Sequence, residues 1–349
     1  MYRVPLAVAL VIAAFVPLAV PALPSATAAV PSSEFSSREQ ILSWMLRYRA
    51  KPAPAHVPAA IAAASRFGAF RDTDGAGVYV GFMAGALAAT PAKAEDLAAK
   101  MTALPAEEHW AVVRAVAYSG LPQWKVLLSK LAPRLPTRKV MIDRYVAGML
   151  PTLDEFVFAD DPGVFGKIRE ALVFGKKPPK RRVFEPHPDL VDTFWGWYFA
   201  TGSYAPVARL VAMLPWSKER DNPEKLVLGS MAKLTLGLNA TRDAPLLELL
   251  KWTKTQQPKD IAAVLEDVIE AAETADTPRI RKEALAAIEE LKRKGPAFKR
   301  DVSLWGQVGQ GALSLGCIGA AALGQVEFGL PCVLGGALSS GLLYYWDRQ

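Results

Sequence analysis

The feature that most constrains this chain is the segment 192–215, DTFWGWYFATGSYAPVARLVAMLP. Val191, Phe194, Trp195 and Tyr198 fall at i, i+3, i+4 and i+7. Val207, Leu210, Val211 and Leu214 repeat that spacing. Each set marks one face of a helix with a 3.6-residue period. Thr201-Gly202 lies between them, and glycine takes up the left-handed conformation that ends a helix at no steric cost. The segment therefore predicts two amphipathic helices joined by a tight turn.

Related pairs recur along the chain. Trp124, Leu127, Leu128 and Leu131 carry the same spacing after the turn Ser119-Gly120. Ala89-Thr90 before Pro91, and Leu238-Asn239 before Thr241, occupy similar positions. A recurrence near every 30–40 residues points to a helical-repeat array. Helices are expected over 38–49, 59–67, 78–89, 91–104, 105–119, 122–131, 138–149, 161–174, 222–238, 245–255, 258–272 and 278–292. Many of the 27 prolines sit where such helices begin, as in Asn222-Pro223 and Thr277-Pro278. Proline is tolerated there because the N–H of the first turn has no intrahelical partner. No alternating run of strand length is present. The fold class expected is all-α, a solenoid-like array of helical hairpins.

The two ends of the chain have a different composition. Arg3, the apolar run 6–20 and the small-x-small site Ala26-Thr27-Ala28 predict a cleaved signal peptide, 1–28. Residues 29–37 form a linker. An N-terminal repeat half is expected over 38–174. The basic, proline-rich loop 175–188 separates it from a C-terminal half, 189–296. Segments 303–324 and 328–346 contain no charged residue, and each is near the ~20 residues that cross a hydrocarbon core. Their glycines would weaken an exposed helix but allow close helix approach in lipid. Trp305 opens the first segment, and Tyr344, Tyr345 and Trp346 close the second. A transmembrane hairpin over 303–346 would bring these aromatics to one interface. Lys292, Arg293, Lys294, Lys299 and Arg300 would then flank it on the exported side, against the positive-inside rule; binding to anionic headgroups is one way to accommodate them. The alternative is a buried helical pair capping the array. Cys317 and Cys332, the two cysteines of the chain, lie on opposite arms, where a disulfide or two isolated thiols are both open.

The net charge is +7, from 41 basic and 34 acidic residues. That balance favours anionic surfaces, but no recognition helix or RNA-binding signature accompanies it, so nucleic acid is not an expected partner. The motifs GxSxG, HExxH and CxxC are absent. Glu185, His187, Asp189 and Asp192 are interrupted by prolines and a helix start, so a metal is not expected there, and Asp189 reads as a helix cap. The fragment at Arg71 fails the calcium-loop spacing. No cofactor is expected. Glu107, Glu108, Asp154 and Glu155 are the carboxylates open to acid–base roles. The candidate binding residues are the aromatic group Trp195, Trp197 and Tyr198, with Phe194 and Phe199 beside them, and the basic loop residues Lys176, Lys177, Arg181 and Arg182. For the aromatics, core packing competes with an exposed ridge.

The stretch DTFWGWYFATG, followed by SMAKLTLGLNA, resembles motifs of small uncharacterised bacterial exported helical proteins, over about residues 192–250. The resemblance implies helical hairpins and transfers no catalytic residue. The expected function is that of an exported, membrane-attached binding or scaffolding protein with its helical body in the periplasm. Its partner would be a protein or a cell-envelope polymer. The alternatives are a cell-wall-acting enzyme with a carboxylate site and a membrane-perturbing protein acting through the C-terminal hairpin.

Overall fold

In the computed structural model, residues 35–71, 73, 75–156, 189–221, 223–275, 279, 280 and 282 are described. The segments read in sequence as a signal peptide (1–28), a helix (161–174), a basic loop (175–188) and a hairpin (303–346) lie outside these residues, as does nearly all of the helix expected over 278–292. Among the described residues every regular element is a helix, and there is no strand. The α-helices are α1 (Arg38–Arg47), α2 (Val57–Arg66), α3 (Gly77–Ala89), α4 (Ala94–Met101), α5 (His109–Tyr118) and α6 (Trp124–Leu131). They continue with α7 (Lys139–Val146), α8 (Asp189–Thr201), α9 (Tyr204–Ala212), α10 (Pro223–Ala240), α11 (Ala244–Lys254) and α12 (Lys259–Glu273).

Several helices are shorter than their apolar pattern suggests, because their first turn closes as a 3-10 helix. Pro91–Lys93 precedes α4, Ala106–Glu108 precedes α5 and Pro136–Arg138 precedes α7. In each case an N–H bonds three residues back: Lys93 to Thr90, Glu108 to Pro105 and Arg138 to Leu135, all at 2.9 Å. That tighter turn satisfies donors an α-helical start leaves open. Pro91 and Pro136 open such turns, and Pro58 and Pro245 stand in the first turns of α2 and α11. The proline-starter expectation therefore holds at Pro91 and Pro245, while Pro58 and Pro136 also fall in first turns, ahead of the starts at 59 and 138 that the sequence suggested. The two glycine turns form as expected: Gly120 has φ +67° and Gly202 has φ +66°.

The core is built around α3. Its sequence, GVYVGFMAGALAA, is apolar on every face, and every residue from Gly77 to Leu87 is buried. A helix apolar all round needs neighbours on all sides. It receives α8 on one face and α5 on another, with α2 and α4 alongside. Trp44 of α1 closes a further side, its ring meeting Phe82 edge-on at 5.4 Å.

The α3–α8 contact is a backbone contact. Gly77, Gly81 and Gly85 recur every four residues and so share one face of α3. A Cβ on Gly81 would stand 1.9 Å from the Thr193 carbonyl oxygen. On the other side, a Cβ on Gly196 would stand 2.0 Å from the Val78 carbonyl oxygen. Neither position has room for a methyl group. Glycine in mid-helix costs up to ~1 kcal/mol relative to alanine, and here the cost is offset by the close packing it permits. Gly229 of α10 repeats the device: its Cβ would lie 2.1 Å from the amide nitrogen of Ser217, in the 3-10 helix Leu214–Lys218.

Consecutive helices also pack in order, α5 on α6, α6 on α7, α8 on α9 and α11 on α12. The α3–α8 pair departs from a purely sequential array, in which each unit touches only its neighbours. It joins one helix from each expected half, and both contribute to one continuous apolar core.

Candidate functional site

A cleft of about 710 Å³ opens between the end of α2, the loop after it, the start of α5 and the start of α7. Its lining includes Phe70, Glu107, Glu108, Trp110, Met141 and the arginines 66, 71, 114 and 138. Trp110 and Arg114 are one helical turn apart on α5, so they share a face. The Arg114 guanidinium carbon lies 5.1 Å from the centre of the Trp110 ring. Arg114 Nη1 donates to Asp189 Oδ2 at 3.0 Å. Asp189 is the first residue of α8, where a carboxylate also favours the helix dipole. Burial opposes the charge of Arg114, but Tyr118, Asp189 and Tyr145 outweigh it and raise its pKa.

Arg138 closes the 3-10 turn before α7 and reaches back to the start of α5. Its Nη2 donates to the Glu107 carbonyl at 2.6 Å. Glu108 is 6% exposed, although it carries a carboxylate. Buried Arg114 Nε, Arg138 Nε and Glu108 Oε2 have no hydrogen-bond partner. Arg66 and Arg71 are exposed. His109, next along α5, is occupied structurally: its Nε2 lies 2.8 Å from the Leu104 carbonyl and 3.1 Å from that of Thr102. It ties α5 to the turn after α4.

The aromatic group of α8 is placed differently from an exposed ridge. Trp195 is 0% exposed and stacks on Phe199 at 5.8 Å. Tyr198 is 2% exposed, and its hydroxyl donates to Asp243 Oδ2 at 2.9 Å. Phe194 and Phe199 are buried with them. Because α8 packs against α3, α9 and α1, most of its rings lie in the core. Trp197 lines a smaller cleft of about 330 Å³ together with Phe194, Asp154 and Arg209. Glu155 is engaged with Thr152 in a reciprocal cap of the short helix Leu153–Glu155. Lys176, Lys177, Arg181, Arg182, Cys317 and Cys332 lie outside the described residues.

Asp189, placed in sequence beside His187 and Glu185, is instead bonded to Arg114. Among the described residues no group of His, Cys, Asp or Glu is arranged to hold a metal ion, and no helix is long and apolar enough to cross a membrane. The sequence reading named Glu107 and Glu108 but missed the arginines around them. Those arginines come from separate elements with no common spacing; the only local signal was Trp110 and Arg114, four residues apart.

The chain matches no protein-family model, no curated protein and no solved structure.

Proposed function

We propose that this is an exported, membrane-attached binding or scaffolding protein of the cell envelope. Its body is a compacted array of helical hairpins that holds a protein or an envelope polymer, and its tail, 303–346, is a transmembrane hairpin. The observation that carries the binding reading is the arginine-lined cleft, whose size falls in the range of ligand sites. Export and attachment are supported by the sequence of the two ends: the signal-like segment 1–28 and the two uncharged segments near the C-terminus. The test is fractionation of native cells expressing the full chain or a chain lacking 303–346, followed by capture of bound partners. The full chain should sediment with membranes and the truncated chain should not. Recovery of both in the same soluble fraction would overturn attachment.

A second reading, an enzyme acting on the cell wall, is favoured by one observation. Glu108 is a buried carboxylate with an unpartnered oxygen, and it lines the cleft. A positioned carboxyl group is the starting point for general acid–base chemistry. Release of peptidoglycan fragments by the wild-type chain, abolished in Glu108→Gln, would establish it. No release from either would remove it.

A further inference from the structure

We propose that the cleft between α2, α5 and α7 binds a small ligand bearing an oxyanion, a phosphate or a carboxylate, with a neighbouring hydroxyl or amine donor. The inference deepens the binding reading of this cleft and rests on it. A guanidinium offers five N–H donors. Arg114 commits Nη1 to Asp189, and Arg138 commits Nη2 to backbone carbonyls, yet both Nε groups remain buried and unpartnered. A buried donor left without an acceptor is destabilising, and a ligand that supplies the acceptor relieves it. Both belong to side chains lining the same cleft, and an oxyanion accepts from guanidinium groups in well-aligned, charge-assisted bonds.

The acceptor side is equally specific. Glu108 Oε2 lacks a donor, so a bare anion would leave it unsatisfied, and a hydroxyl or amine beside the anion would complete it. Trp110, Phe70 and Met141 supply apolar wall for the body of the ligand. The lining carries four arginines and two glutamates; Asp189, behind Arg114, answers one more positive charge. Among the described residues the remaining excess is positive, and exposed Arg66 and Arg71 place it where an incoming anion meets it first.

The test is calorimetric titration of the full chain in detergent micelles with acetate, inorganic phosphate and glycerol 3-phosphate. Saturable binding is expected, tightest for glycerol 3-phosphate, which carries hydroxyls beside its phosphate. Arg66→Gln with Arg71→Gln should weaken it fivefold or more without changing Tm, since both residues are exposed. Glu108→Gln should reduce the preference for glycerol 3-phosphate over inorganic phosphate. Phosphatidylglycerol doped into the micelles distinguishes the sources: competition assigns the site to a lipid headgroup, and its absence to a soluble anion. Absence of saturable binding for all three anions, or binding that the double variant leaves unchanged, would overturn the proposal. Loss of anion binding with partner capture intact would sink this inference alone; loss of both would sink the binding reading.

Discussion

At the scale of single residues, Asp243 joins three parts of the chain. Its Oδ1 accepts from the Leu246 amide at 3.2 Å and so caps α11. Its Oδ2 accepts from the Tyr198 hydroxyl and from Arg49, whose guanidinium lies 4.7 Å from the centre of the Tyr198 ring. Removing it deletes a cap worth about 1 kcal/mol and strands a partly buried guanidinium and a buried phenol. Asp243→Ala should therefore cost about 2–4 kcal/mol in denaturant unfolding of the full chain. Asp243→Asn, which keeps the cap and an acceptor, should cost less than half of that. Equal losses would show that the carboxylate charge, rather than the cap or the neutral acceptor, carries the effect.

The buried tyrosines make a second prediction at this scale. Burial raises the phenols of Tyr48, Tyr79, Tyr118, Tyr145, Tyr198 and Tyr204. At Tyr198 the Asp243 carboxylate adds to it. A phenol with a folded pKa above its unfolded value keeps its proton in the folded chain after the unfolded chain has lost it. The stability linked to these groups is thus complete below about pH 10 and falls as pH rises beyond that. Ultraviolet absorbance should show phenolate from the buried group appearing together with loss of helical circular dichroism. Full phenolate titration in a chain that keeps its helices would contradict their burial.

At the scale of elements, the glycine turns and the helix starts were legible in sequence. The chemistry behind them is local: a positive φ at Gly120 and Gly202, and a missing N–H at Pro91, Pro136 and Pro245. The role of α3 was not legible. A helix apolar on all sides has no stripe to indicate which face meets which neighbour, and the pattern Gly77, Gly81, Gly85 acquires meaning only once α8 is known to lie against it. The aromatics of α8 left core packing and an exposed ridge both open because two of them fall off the main stripe, and the packing of α8 on more than one side settles four of the five rings into the core. The cleft was illegible for a different reason, since its arginines are assembled by tertiary packing. The glycine contact gives a direct expectation. Gly81→Ala should destabilise the full chain by about 2 kcal/mol or more, because the added methyl meets backbone that cannot swing away. Gly120→Ala, with nothing within 4 Å of its Cβ, should lose only the conformational term of about 1–2 kcal/mol. The reverse order in thermal or denaturant unfolding would mean that α3 and α8 are not in backbone contact.

At the scale of the whole molecule, the helical body is flanked by two ends of distinct composition. The body carries the cleft, and the ends carry the proposed export and attachment. Helices from before and after residues 175–188 share one core through α3 and α8. Hydrogen exchange of the full chain, read by mass spectrometry with and without Gly81→Ala, tests this most directly. Peptides from α3 and α8 should share the slowest exchange, and the variant should accelerate both together. Acceleration confined to the peptides of α3, with α8 protected as before, would contradict it.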